Sequence, residues 1–201
     1  MSKSIITISR EFGSGGRDIG KKVAEILGYA FYDRTLIDLS IQQDKLSAES
    51  MREIEEKLNE ALLFKLAVNG SYAEPFWGNI MIPPPDTMFL MQEKIIKNLV
   101  EKGPCVIIGT GADFVLRDRT DCLSIFIYSD MNSRVKRAIA EYGVSSDKVE
   151  SKIHHRDKIR AEHYNKCTFQ KWGEAKNYDL CLNSDGLGIE KSIALILKAA
   201  E

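Results

Sequence analysis

The stretch Ile5-Ile6-Thr7-Ile8-Ser9-Arg10-Glu11-Phe12-Gly13-Ser14-Gly15-Gly16-Arg17-Asp18-Ile19-Gly20-Lys21-Lys22-Val23-Ala24 decides the fold. Ile5, Ile6 and Ile8 are β-branched and stand in a run without charge, as a central parallel strand requires. Gly13, Gly15 and Gly16 predict a tight turn whose backbone comes close to a ligand. Ile19, Val23, Ala24 and Leu27 recur at helical spacing. A helix that begins directly after such a turn aims free N–H groups and the positive end of its dipole at one place, a geometry suited to phosphate. Strand, glycine turn and helix in this order are the context a phosphate-cradling loop needs. The plainer alternative is a glycine-rich connection without a ligand.

The loop departs from the phosphate-binding pattern G-x-x-x-x-G-K-[ST]. With Gly15 as its second glycine, Arg10 stands on the first glycine, Gly16 on the lysine and Arg17 on the hydroxyl residue. The lysine that reaches the outer phosphates and the hydroxyl that touches Mg2+ are both replaced. Arg10 and Arg17 are cations near enough in sequence to supply the lysine's charge, with a planar fork instead of a point charge. Ser14 and Asp18 are the nearby groups that could stand in for the hydroxyl. A dinucleotide reading competes, with Gly13-x-Gly15 and with Asp33 at the spacing of a ribose contact. Its fingerprint is broken where Asp18 takes the place of the third small residue.

A length of 201 residues suggests one domain, 1–201, with room for a subdomain insert. A formal net charge of −1 gives no electrostatic case for nucleic acid or membrane adhesion. No apolar run is long enough to span a bilayer, and residues 1–4 lead into the first strand without a signal-peptide pattern. Cys105, Cys122, Cys167 and Cys181 show no C-x-x-C spacing; Cys105, Cys122 and Cys181 lie in or beside apolar strands, as small core hydrophobes do. His154, His155 and His163 lack a carboxylate-rich partner set, so no metal ligands are expected. The expectation is a cytoplasmic protein without nucleic-acid or membrane partners; no residue pattern indicates an oligomeric state.

Farther along, Gly28 closes the first helix and 29–32 read as the second strand. Asp33 is either the cap of a helix beginning at Arg34 or, with Arg34, a ligand contact at the carboxyl end of a parallel strand. Residues 34–102 read as a mostly helical insert. It holds a charged helix over 43–70, an aromatic loop over 70–86 and a helix over 86–101. Trp77 in that loop either stacks on a base or packs the loop on the body. Strands follow at 104–109, 122–128 and 178–182, with helices at 132–142 and 188–200. Apolar strands alternating with helices argue a parallel sheet covered on both faces. Residues 149–172 are the most basic part of the chain and nearly polar all round. They read either as a solvated helix with internal ion pairs or as a lid, 149–173, that lays its cations over transferring phosphates.

These residues together resemble the cytidylate kinase-like family, a branch of the nucleoside monophosphate kinases. The resemblance is carried by residues 8–16, by Phe31-Tyr32-Asp33-Arg34, by Ala112-Asp113-Phe114-Val115-Leu116-Arg117, by Asp157-Lys158-Ile159-Arg160 with Tyr164, and by Trp172-Gly173 with Tyr178-Asp179-Leu180. It implies an α/β, three-layer P-loop NTPase-like fold with a five-stranded parallel sheet, a helical acceptor-binding insert and a basic lid. It implies ATP and Mg2+ as cofactors, small-molecule nucleotides as partners, and phosphorylation of a nucleoside monophosphate, CMP or dCMP first. Gly13, Ser14, Gly15, Gly16, Arg17, Asp18 and Arg156 would then hold the ATP phosphates. Arg10, Arg17, Lys158 and Arg160 would neutralise the transferring group. Asp33, Arg34, Asp113, Asp157 and Arg160 would meet the substrate, with Asp157 accepting from the ribose. The family's G-R-D run after the third strand is Gly109-Thr110-Gly111 here, and the arginine expected after Asp33 is met only by Arg34. A missing guanidinium removes a charge-assisted partner worth about 2 kcal/mol. Gly16 and Thr110 therefore also motivate a second reading, a nucleotide-binding protein that has lost catalysis and acts as a sensor or partner-binding module.

Overall fold

The computed structural model describes residues 2–34, 37 and 85–201. Five strands form one wholly parallel sheet: β1 (Ile5–Arg10), β2 (Ala30–Tyr32), β3 (Cys105–Ile108), β4 (Cys122–Tyr128) and β5 (Leu180–Asn183). Their order across the sheet is β2-β3-β1-β4-β5. The helices are α1 (Gly16–Leu27), α2 (Pro85–Val100), α3 (Ala112–Val115), α4 (Met131–Ala140), α5 (Val149–Thr168), α6 (Ser184–Leu187) and α7 (Ile189–Ala200). The expected helix over 43–70 and Trp77 lie outside the described residues. The loop expected to reach 86 ends sooner, because Pro85 opens α2, a first-turn position that needs no N–H from it.

Alternation along β1 divides the core. Ile6 and Ile8 join Val106, Ile108, Leu123, Ile125 and Ile127 against Ile19, Val23 and Ala24 of α1 and Ile196 and Ala200 of α7. Ile5 joins Cys105 and Ile107 on the opposite face, against Met91, Ile95, Ile96 and Leu99 of α2. Both faces are apolar because both are covered, as in parallel sheets generally. A third cluster sits at the carboxyl end of the sheet, where Phe12 meets Ala138, Val149 and Ile153. It gives α5 an anchor that the sequence pattern underplays: Val149, Ile153, Tyr164 and Thr168 of this otherwise polar helix are buried.

The strand order places β3 between β1 and β2, whereas a dinucleotide-binding sheet sets β2 beside β1. The dinucleotide reading is thereby set aside. The carboxyl end of β1, flanked by β3 and β4, is the switch point at which such sheets bind ligands. Among the described residues no helix is long and apolar enough to cross a membrane.

Candidate active site

The turn between β1 and α1 is shaped by two left-handed glycines, Gly13 (φ 84°) and Gly15 (φ 75°), the second of which caps α1. Residues 12–16 are all buried. Two neighbouring elements hold the turn by its carbonyl groups. Arg134 Nε of α4 donates to the Phe12 carbonyl (2.7 Å), Arg137 Nη1 of α4 to the Gly13 carbonyl (2.6 Å), and Ser184 Oγ of α6 to the Ser14 carbonyl (2.7 Å). In a trans peptide the C=O and the following N–H point in opposite directions. Tying these carbonyls outward turns the N–H groups of Gly13, Ser14 and Gly15 inward. Ser14 N–H makes a long bond to the Glu11 carbonyl (3.3 Å); among the described residues no acceptor serves the N–H groups of Gly13, Gly15, Gly16 and Arg17. Buried backbone donors without partners are rare. Such donors gathered at the start of a 12-residue helix are the arrangement that an anion site requires.

Behind the turn lies a charged clamp. The Asp157 carboxylate of α5 accepts from Phe12 N–H (2.7 Å) and pairs with Arg134 Nη2. Arg134 also faces Glu11 (3.3 Å), which in turn accepts from Ser129 N–H (3.2 Å). Burial pushes the Glu11 carboxyl above its ordinary range, against the opposing pull of Arg134.

In front of the turn the charge is positive. Arg17 donates twice to Asp33 Oδ2, at 3.0 and 2.7 Å. The backbone carbonyl of Asp33 accepts from Ile37 N–H, so this one residue both opens the next helix and presents its carboxylate to Arg17. Arg160 donates to the Arg10 carbonyl (3.0 Å) and lies 3.6 Å from Asp157. The Arg10 guanidinium is pushed down to about 9, first by burial and then by the like charges of Arg160, Arg34 and Arg17, with Asp33 opposing. Arg160 is lowered as well, chiefly by burial. Arg156 lies over the Phe12 ring (4.4 Å).

Other candidate residues are placed differently. Lys158 is largely exposed and pairs with Glu162 (3.7 Å) on its own helix. Asp18 accepts from Tyr142 Oη (2.9 Å), and Ser14 Oγ donates to the Glu11 carbonyl (2.9 Å). Asp113 is buried and accepts from Ser9 Oγ (3.3 Å) and Tyr164 Oη (2.7 Å); burial raises its pKa. Thr110 has a left-handed backbone (φ 59°), and its hydroxyl donates to the Gly109 carbonyl (2.6 Å).

Sequence reasoning passed over Arg134, Arg137, Glu11 and Ser184. Their one readable signal is the three-residue spacing of Arg134 and Arg137, which puts both on one face of α4.

A glycine loop between strand and helix, at the switch point of a parallel sheet with this order, defines the P-loop NTPase fold. Among solved structures, an uncharacterized protein from Eubacterium ventriosum is 24% identical, with a TM-score of 0.72 over 98% of this chain and 97% of its own. TT1252 from Thermus thermophilus is 14% identical, with a TM-score of 0.52 over 100% and 98%. The shikimate kinase from Acinetobacter baumannii in complex with shikimate is 15% identical, with a TM-score of 0.51 over 97% and 91%. No curated protein matches the chain. The chain belongs to the cytidylate kinase-like family, whose model matches residues 5–186.

Proposed function

We propose that this protein transfers a phosphoryl group from ATP to a nucleoside monophosphate, with CMP or dCMP first among the acceptors. The observation that carries the reading is the turn itself: N–H groups at residues 13, 15, 16 and 17 without an acceptor among the described residues, with Arg10, Arg17 and Arg160 close by. Phosphoryl transfer asks a protein mainly to position groups and to neutralise charge. This site offers backbone donors fixed in advance and cations over them. The acceptor enters at the carboxyl end of β2, beside Asp33 and Arg34. No general base is assigned, because the acceptor of such a reaction is already an anionic phosphate. Asp113 and Asp157, to which the resemblance implies substrate contacts, already accept the internal bonds described above, so a substrate donor would share each carboxylate with them.

The donor set fits the ATP phosphates. Arg17 stands in the position of the usual Mg2+ hydroxyl, Asp33 is paired with Arg17 and Asp18 accepts from Tyr142; the Ser14 oxygen, whose proton goes to the Glu11 carbonyl, keeps its lone pairs. Mg2+ would be held chiefly by the nucleotide's own phosphates and water, with Ser14 Oγ the nearby protein oxygen that could meet it.

The test is ADP release from Mg-ATP with CMP, dCMP, UMP, AMP and GMP supplied one at a time. Turnover with a pyrimidine monophosphate is expected. ATP binding without turnover on any of the five would favour the sensor reading or a non-nucleotide acceptor.

A further inference from the structure

Positions 10 and 16 carry a reciprocal exchange relative to the ordinary phosphate-loop pattern. The first glycine of the pattern has become Arg10, and its lysine has become Gly16. Gly16 has no conformational need to be glycine, since it lies in the first turn of α1 and is absent from the positive-φ residues. Its reason is space. A methyl group on Gly16 would sit 2.7 Å from Arg10 Cβ, 3.1 Å from Arg10 Cγ and 3.4 Å from Ile127 Cβ. The atoms in the way belong to the root of the arginine side chain, which cannot swing aside as its tip can. Side chains at 10 and 16 thus exclude one another: the site holds either glycine with lysine, or arginine with glycine.

The path of the arginine confirms where its charge goes. From β1 the side chain passes over Gly16 and reaches Gly109 at the end of β3, where an added methyl would fall on Arg10 Nη1. Among the described residues no acceptor takes a hydrogen bond from this guanidinium, while the Arg10 carbonyl is held by Arg160. A mostly buried cation close to other cations, opposed by Asp33 and without a hydrogen-bond acceptor among the described residues, is placed to meet an anion.

We propose that Arg10 contacts the outer phosphates of the bound nucleoside triphosphate, supplying from the strand the charge that an ordinary phosphate loop supplies from the helix. The inference rests on the ATP-binding reading above. Gly16 is then the condition for Arg10 and not a sign of lost function, while Gly109 is glycine for its left-handed backbone (φ 73°) and leaves the guanidinium room beside it.

The test is calorimetric titration of the full chain with Mg-ATP, Mg-ADP and AMP, with thermal melts run alongside. The variants are Arg10→Ala, Arg10→Gln, Gly16→Lys and the exchange Arg10→Gly with Gly16→Lys. Arg10→Ala and Arg10→Gln are expected to weaken ATP and ADP roughly tenfold or more, the scale of a charge-assisted contact, and to leave AMP unchanged. Gly16→Lys alone is expected to weaken ATP, since two side chains cannot share the space; the exchange is expected to recover most of the loss. If Arg10→Ala fails to fold, Arg10→Gln keeps the stem over Gly16 and carries the measurement. ATP affinity within about twofold of wild type in a folded Arg10→Gln overturns the inference alone, as does tighter ATP binding by Gly16→Lys. Failure of the wild type to bind ATP overturns the kinase reading, and this inference with it.

Discussion

Replacing Asp157 by alanine should destabilise the free protein, before any ligand is added. The Arg134 side chain is 6% exposed and that of Asp157 15%, so the pair is screened little by water. Removing one partner of a buried ion pair costs about 3–5 kcal/mol when the other charge is left alone. Arg134 is not left alone, because Glu11 stays 3.3 Å away and the Phe12 carbonyl still accepts from it. That residual partner reduces the charge penalty to about 2 kcal/mol. Phe12 N–H also loses its acceptor, and an orphaned donor adds about 1–2 kcal/mol. The sum, about 3–4 kcal/mol, corresponds to a fall in Tm of about 10 °C for a chain of this size.

Urea unfolding near neutral pH, with the slope m unchanged, measures it. Asp157→Asn keeps an oxygen for Phe12 N–H and loses only the charge, so it should cost about half as much. A loss below about 1 kcal/mol for Asp157→Ala would refute the clamp. If Asp157 served only a ligand's sugar, the substitution would lower nucleotide affinity and leave the unliganded stability alone.

Asp113→Asn should gain stability over wild type as pH rises. Burial holds the Asp113 pKa above its ordinary 3.8, so the folded chain keeps a proton there that the unfolded chain has released. Stability from this site is greatest below 3.8 and falls as pH climbs through the raised value; a wild-type-to-variant difference that stays flat from about pH 4 to pH 7 would contradict this. Gly13→Ala places a methyl 2.8 Å from the Arg134 carbonyl oxygen on a left-handed backbone, and should cost about 2 kcal/mol or more along with ATP affinity. Gly28→Ala is its control, because the backbone is equally left-handed (φ 68°) but the space is open; it should cost about 1 kcal/mol and leave ATP binding intact. Ser184→Ala strips the Ser14 carbonyl of its side-chain donor and should cost about 1 kcal/mol in a melt while weakening ATP binding; no change in either would remove α6 from the site.

The central strands were legible because they are buried on both faces and so read as unbroken apolar runs: β4 falls on the expected 122–128, and β3 lies within 104–109. The last strand reads two residues early for a specific reason. Tyr178 looks like a strand residue, but its ring packs on Phe126 (5.1 Å) ahead of the ladder, and the Asp179 carboxylate accepts from Ser124. The short α6 went unread although Asn183 caps it, accepting from the N–H groups of Asp185 and Gly186. Strand order is not written locally at all, since it depends on which way each crossover turns. Arg134 was illegible for a related reason: on a basic helix an arginine looks like solvent-facing charge. Only the fold brings Glu11, the Phe12 carbonyl and Asp157 around it from positions far off in the chain.

That convergence bears on how the basic helix works. α5 is fastened by hydrogen bonds at three places: Asp157 to Phe12 N–H and Arg134, Arg160 to the Arg10 carbonyl, and Tyr164 Oη to Asp113, which Ser9 of β1 also supports. All three reach the strand–loop unit that would cradle phosphate. If α5 swings as a lid, the first hydrogen bond it breaks at its middle is one that fixes the loop, and an opened lid leaves Phe12 N–H and half of Arg134's charge without partners. Opening and loop disorder are then one event, with a cost set by the same groups that Asp157→Ala removes. A ligand that engages the loop's N–H groups stabilises the closed helix even where it does not touch it, and cations of α5 such as Arg160 arrive already aligned with the loop. With the helix closed, the loop is ordered before a ligand arrives, which is the condition under which fixed dipoles and charges serve a transferring phosphate best.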